Sequence, residues 1–122
     1  MNVYNTFPEV RAILHTHPRN IVPFASLNMP IPANTEMFKH LIGEECIEIC
    51  KEVGPATDEL SETILEHLNR RKEALGKYGT AVMIPYHGLI VVGRNLDYAF
   101  SILETVDTSA YVEIQKAILR KG

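Results

Sequence analysis

The chain has 122 residues, 46% of them hydrophobic and 22% charged, with a formal charge of −3. That length and balance fit one domain, residues 1–122, with an ordinary core, and exclude a disordered or low-complexity chain. The charge is weakly negative and no dense Lys/Arg patch is interleaved with aromatics, so no nucleic-acid partner is expected.

In chain order, "VRAILHTH", 10 to 17, has the short apolar build of a buried strand, and Pro18 stops ladder pairing behind it. On a strand, residues two apart project together, so His15 and His17 share one side. "IVPFASLNMPIPA", 21 to 33, carries three prolines and predicts short strands and turns rather than a long helix. From Thr35 the spacing of Met37, Phe38, Leu41 and Ile42 predicts a helix, capped by Thr35 or Asn34. His40 falls in this pattern and reads as solvated.

Ile47 to Val53 fits strand or helix, and "GPAT", 54 to 57, is a break. Cys46 and Cys50 form no C-x-x-C and read as small apolar residues, not as redox groups or zinc ligands. Thr57 or Asp58 can start a second helix whose stripe, Leu60, Ile64 and Leu68, leads toward Gly76. "NRRKEALGK", 69 to 77, reads as its solvated basic end, and His67 as solvated too.

"TAVMIPYHGLIVVG", 80 to 93, predicts two strands around a tight Pro85–Gly88 connection. Asn95 can then cap a long helix reaching about Leu119, with the stripe Leu96, Phe100, Leu103, Val106, Ala110, Ile114 and Ile118. The sum is α/β, a small sheet packed with helices. No apolar run approaches the roughly 20 residues of a membrane helix, and the opening residues carry no secretory signal. No membrane partner is expected, and a cytoplasmic location is.

His15 and His17 have a candidate partner in His87, which precedes a glycine that lets backbone and ligand approach closely. Three neutral imidazoles with an open fourth position are a recurrent catalytic metal arrangement, with zinc the commonest ion. The spacing by itself leaves ordinary core or surface histidines as the alternative.

"FPEVRAILHTHPRN", then "MPIPA", then "YHGLIVVGRNLDYAFSILETVDTSA" resemble the class II aldolase/adducin family. Members pair an H-x-H at a strand end with a later H-G before a G-x-x-L-x-x-A-F helix. The resemblance covers nearly the whole chain. It implies that His15, His17 and His87 bind one divalent metal, preferably zinc. It also implies a lyase that cleaves a small phosphorylated sugar such as fuculose phosphate by retro-aldol chemistry. In that reaction a Lewis acid stabilises the negative charge left when the carbon–carbon bond breaks, and side chains move the protons.

Two departures from the family pattern qualify this reading. The family's N-terminal portion, with its glycine-rich phosphate loops and an acidic residue, has no counterpart here, since fourteen residues precede His15 and none is glycine. The expectation is therefore the C-terminal part of such a domain, with a truncated central sheet. Family aldolases also carry a tyrosine acid shortly after "IPA", where this chain reads "NTEMF". Glu36 is thus the candidate acid/base, as in the family's methylthioribulose-phosphate dehydratase branch, although a first-turn glutamate also suits a helix dipole. Tyr86, beside His87, reads as a substrate contact or a packing aromatic.

A truncated sheet leaves strand edges that invite pairing. A symmetric homo-oligomer with sites between subunits follows, or a separate chain supplying the missing half. The alternatives to the aldolase are the dehydratase, a metal-binding but incompetent or split homologue, and a non-catalytic adducin-like interaction module.

Overall fold

The computed structural model describes residues 7–51 and 58–121. In chain order the elements are β1 (Ala12–Thr16), α1 (Val22–Leu27), β2 (Ile31–Pro32), α2 (Glu36–Leu41), β3 (Cys46–Ile47), α3 (Asp58–Asn69), α4 (Lys72–Lys77), β4 (Gly79–Ile84), β5 (Gly88–Gly93) and α5 (Leu96–Lys121). The α/β expectation holds.

Strands β1, β5 and β4 form an antiparallel sheet in that order, with β5 in the centre. β5 and β4 alternate two faces that are both covered, so their sequences are apolar throughout and all twelve positions are buried. β2 pairs antiparallel with β3, and the chain beyond β3 joins the main sheet. There Ile49 bridges Met83 in parallel, with Met83 N–H donating to the Glu48 carbonyl and Cys50 N–H to the Met83 carbonyl, each at 2.9 Å. The region ambiguous between strand and helix is therefore extended as far as Cys50; residues 52–57, with its end and "GPAT", lie outside the described residues.

One sheet face (Ala12, Ala81, Met83, Leu89, Val91) packs on α5 through Ala99, Ile102, Val106 and Ala110, with Phe24 of α1 and Phe38 and Leu41 of α2 closing that core. The opposite face (Val82, Ile84, Ile90, Val92) packs on Ile64 and Leu68 of α3 and Leu75 of α4. β1 obeys the same alternation: Ala12 and Leu14 join the α5 core, while Ile13 packs against the other.

Four local expectations are corrected. Residues 22–27 form a short helix rather than strands, because Pro23 sits in its first turn, where a missing N–H costs nothing. The helix expected to run on toward Gly76 breaks at Arg70–Arg71, where Arg71 leaves helical geometry at φ −119° and ψ 30°. Its guanidinium turns inward to the Glu48 carboxylate, so the "solvated" basic run contains a buried arginine. His67 is buried as well, within 3.0 Å of an Arg70 guanidinium nitrogen and 3.5 Å of Glu48, whereas His40 is exposed as expected.

The long helix does begin at Asn95, whose Oδ1 accepts from Tyr98 N–H at 2.8 Å. Its buried face, however, runs through Ala99, Ile102, Val106 and Ala110, leaving Leu96, Phe100 and Ile118 exposed. Small residues win the positions nearest the sheet because the helix lies close to it.

Candidate metal centre

The ladder between β1 and β5 builds the site. His15 lies opposite Ile90 and Thr16 opposite Leu89, and directly opposed residues of an antiparallel pair share a face. Ile90 belongs to the core under α3 and α4, so His15 projects to that side, beyond the edge of those helices, and His17 follows two residues later.

His87 arrives from the connection of the β4–β5 hairpin. Its N–H donates to the Ile84 carbonyl at 3.0 Å, closing a turn with Pro85 and Tyr86 in the middle. Tyr86 sits at φ 61°, in the left-handed region. Proline followed by a left-handed residue is the type II arrangement, and the third position usually takes glycine or asparagine. A tyrosine there costs roughly 1–2 kcal/mol. The turn is held from outside: Tyr86 N–H donates to the Ala25 carbonyl of α1 at 3.0 Å. Since α1 follows directly on the His17 segment, one short helix links both histidine-bearing segments. Asn20, between them, donates to Asp107 of α5 at 3.3 Å, while the other Asp107 carboxylate oxygen is buried without a partner among the described residues.

Gly88 permits the convergence. A Cβ on it would fall 2.3 Å from the Thr16 carbonyl oxygen and 2.9 Å from the His17 ring, so only glycine lets β5 start this close to the end of β1. The three rings then stand mutually adjacent, with centroids 5.4 Å apart for His15–His17, 4.9 Å for His15–His87 and 5.0 Å for His17–His87. One ring nitrogen from each lies within 4.8 Å of the others.

A tetrahedral ion at about 2.0–2.1 Å from each nitrogen needs them roughly 3.3 Å apart. All three side chains are exposed, and small ring rotations supply that contraction. Partial burial, then the neighbouring His87 and His17, lower the His15 pKa below 6.5. Neutral imidazole, the ligating form, is thereby favoured at neutral pH. The donor set fits a borderline-soft divalent ion with positions left open for solvent or substrate.

Glu36 is not brought to this cluster. It opens α2 as an exposed first-turn residue behind the Thr35 cap, whose hydroxyl accepts from Phe38 N–H at 3.1 Å. The buried side of α2 belongs to the α5 core, on the sheet face opposite His15. The Asn20–Asp107 hydrogen bond that ties the segment after His17 to α5 was invisible in the sequence, because nothing local pairs residues 87 positions apart.

The family model described as "Class II Aldolase and Adducin N-terminal domain" matches residues 1–114. The chain belongs to this family. Among relatives of this aldolase-family chain, a rhamnulose-1-phosphate aldolase of Pectobacterium atrosepticum is 28% identical over 115 residues, covering 86% of the chain and 38% of that protein. An L-fuculose phosphate aldolase of Haemophilus influenzae is 27% identical over 110 residues, covering 90% and 47%. A solved L-fuculose 1-phosphate aldolase shares the fold at a TM-score of 0.74 and 24% identity, covering 96% of this chain and 50% of its own. A sugar-phosphate aldolase from Thermotoga maritima does so at 0.64 and 23%, covering 97% and 50%. The aldolase-family chain thus spans about half the length, or less, of the relatives it matches. Among its described residues, no helix is long and apolar enough to cross a membrane.

Proposed function

We propose that this chain carries the metal-holding part of a class II, zinc-dependent lyase acting on a small sugar phosphate, with His15, His17 and His87 as the ligands. The observation that supports it is the meeting of three imidazoles from two distant segments, one ring nitrogen of each within 4.8 Å of the others. Zinc, when bound, supplies a Lewis acid that stabilises negative charge developing on a substrate oxygen during carbon–carbon cleavage.

The chain's own residues do the rest of what this reading asks. His15, His17 and His87 would each offer one ring nitrogen to the ion, and Gly88 keeps their backbones close. Tyr86, exposed and held in a left-handed turn, stands at the rim where a sugar would enter. Glu36 is the proton-transferring group in this reading, and it serves the histidines of another copy, since its own lie across the sheet. β1 supports that assembly. It is the outer strand of its sheet and pairs only with β5 among the described residues, an edge open to further strands. A symmetric homo-oligomer with shared sites satisfies both features.

The test combines metal and turnover. The protein is expected to bind one zinc per chain, to lose it in His15→Ala, and to cleave L-fuculose 1-phosphate or L-rhamnulose 1-phosphate in a coupled aldehyde assay. Glu36→Gln is expected to keep the zinc and lose the cleavage. Release of water instead of an aldehyde from a sugar phosphate would assign the dehydratase chemistry. Zinc binding with neither reaction, alone or with a second chain added, would leave a metal-binding homologue.

A further inference from the structure

At the other end of the sheet, three elements enclose an open cleft of about 480 Å³. It is lined by His40 of α2, by Gly76, Lys77 and Tyr78 at the α4–β4 junction, and by Arg94 at the β5–α5 junction. Lys77 and Arg94 have no ion-pair or hydrogen-bond partner for their side chains among the described residues. The walls are fixed to each other: Arg94 N–H donates to the Tyr78 carbonyl at 2.9 Å. The Tyr78 ring stands 5.0 Å from the Tyr98 ring and 6.1 Å from that of His40. Among the described residues, no carboxylate lines this cleft; Glu44 and Glu73 line the smaller adjoining cavity, which shares His40 and Lys77 with it.

Gly76 is the second observation. Gly43 and Gly79 have positive φ, and Gly88 and Gly93 meet neighbouring backbone within 3 Å of where a Cβ would sit. Gly76 has neither reason: it lies inside α4 and nothing stands within 4 Å of its would-be Cβ. Glycine weakens a helix relative to alanine. A helix glycine that the fold does not require, facing a cleft lined by two free cations, is explained by a ligand that approaches the backbone there.

We propose that this cleft binds the phosphate group of a small phosphorylated molecule. Arg94 offers a planar fork of donors for two phosphate oxygens, and Lys77 a point charge beside it. The seven residue steps from His87 to Arg94, running along β5, put the cleft roughly 20 Å from the histidine cluster. No small sugar phosphate spans that distance, so the site is separate from the metal centre of the same chain.

The test is a titration of the chelator-treated, isotope-labelled protein with inorganic phosphate at constant ionic strength, followed by amide NMR. Saturable shifts are expected at Gly76, Lys77, Tyr78 and Arg94, with affinity falling about tenfold in Arg94→Gln and in Lys77→Gln. Gly76→Ala is expected to melt roughly 2–5 °C higher, yet bind phosphate about tenfold more weakly. Linear shifts through about 20 mM phosphate would overturn the proposal, as would perturbation confined to the histidine cluster. Undiminished binding by Arg94→Gln or by the stabilised Gly76→Ala would overturn it equally.

Discussion

Gly88→Ala couples fold and site in one atom. The added Cβ would lie 2.3 Å from the Thr16 carbonyl oxygen, 2.9 Å from the His17 ring and 3.3 Å from His17 Cα. An ordinary C···O contact is about 3.3 Å or longer, so β1 and β5 must part by roughly 1 Å where Thr16 faces Leu89. Two of these obstacles are backbone atoms, and no flexible side chain can swing away to absorb the strain. Overpacking of this kind costs about 1–3 kcal/mol, and weakening the adjacent ladder bond adds about 1 kcal/mol. The expected loss is about 2–4 kcal/mol, a large share of a domain's usual 5–15 kcal/mol, and lowers the melting point by roughly 10 °C. Displacing His17 also removes a donor from the cluster, and zinc affinity is expected to fall at least about tenfold. Urea unfolding in the presence of a chelator measures the first effect, and competition against a chromophoric chelator the second. An unchanged urea midpoint would refute the steric argument. Zinc affinity within about twofold of wild type, despite measured destabilisation, would refute the role given to His17.

Zinc should raise the melting point: at a hundredfold excess over its dissociation constant it stabilises by about 2.7 kcal/mol. His17→Ala or His87→Ala should abolish that rise, and an equal zinc response in the wild type and both variants would contradict the ligand assignment. Without metal, stability should fall as pH drops below 6.5. His15 is lowered by burial and then by the other two histidines, and His67 by burial and then by Arg70, so both bind protons more readily unfolded. Their contribution is present above the unfolded pKa and is lost as pH falls toward the lower folded values. His15→Gln with His67→Gln should flatten that slope in urea titrations at pH 5 to 7.5. The Glu48 carboxyl is held below 4.5 chiefly by its hydrogen bond from Arg71, so its contribution persists above that pH and disappears under more acid conditions. Glu48→Gln strips most of the neutralisation from a buried guanidinium and should cost about 1–2 kcal/mol by urea denaturation, discounted because Glu48 is itself two-fifths exposed. Thr35→Ala should cost about 1 kcal/mol in the same assay through loss of the α2 cap.

The legible parts of this molecule were those written in local pattern. The β4–β5 hairpin, the Asn95 cap and the strand entering His15 follow from apolar runs, Gly and Pro punctuation and a capping side chain. The histidine cluster was legible as a pairing of H-x-H with a distant H-G, and the family resemblance that drew the two together agrees with the match over residues 1–114. What stayed hidden is set by tertiary partners. The helix break at Arg71 depends on Glu48, 23 residues earlier in the chain, and the burial of His67 depends on the same carboxylate. The inner face of α5 is chosen by how closely the sheet approaches, so that Ala99 and Ala110 are buried while Leu96 and Phe100 are not. Glu36 shows the same limit from the other side. Its position in the motif is readable, but that α2 packs on the sheet face opposite His15 is set by tertiary packing.

Register connects the apolar pattern to the chemistry. Leu14 points into the α5 core, while Ile13 and His15 point the other way. Sliding β1 by one residue against β5 would drive the His15 imidazole into that core and expose the half-buried Leu14 instead, at a cost of about 1 kcal/mol for the leucine before any penalty for the buried ring. The hydrophobic alternation that stabilises the sheet is therefore also what aims the imidazoles. His17, just beyond the ladder, inherits its direction from the same two-residue period. His87 needs a further constraint, and the left-handed Tyr86, tied to the Ala25 carbonyl, provides it by fixing where the hairpin turns. Convergence of the three rings is thus a consequence of burying apolar surface in one register around one turn. A cation at that point would in turn favour this register over its neighbours, because no slipped pairing keeps all three nitrogens together.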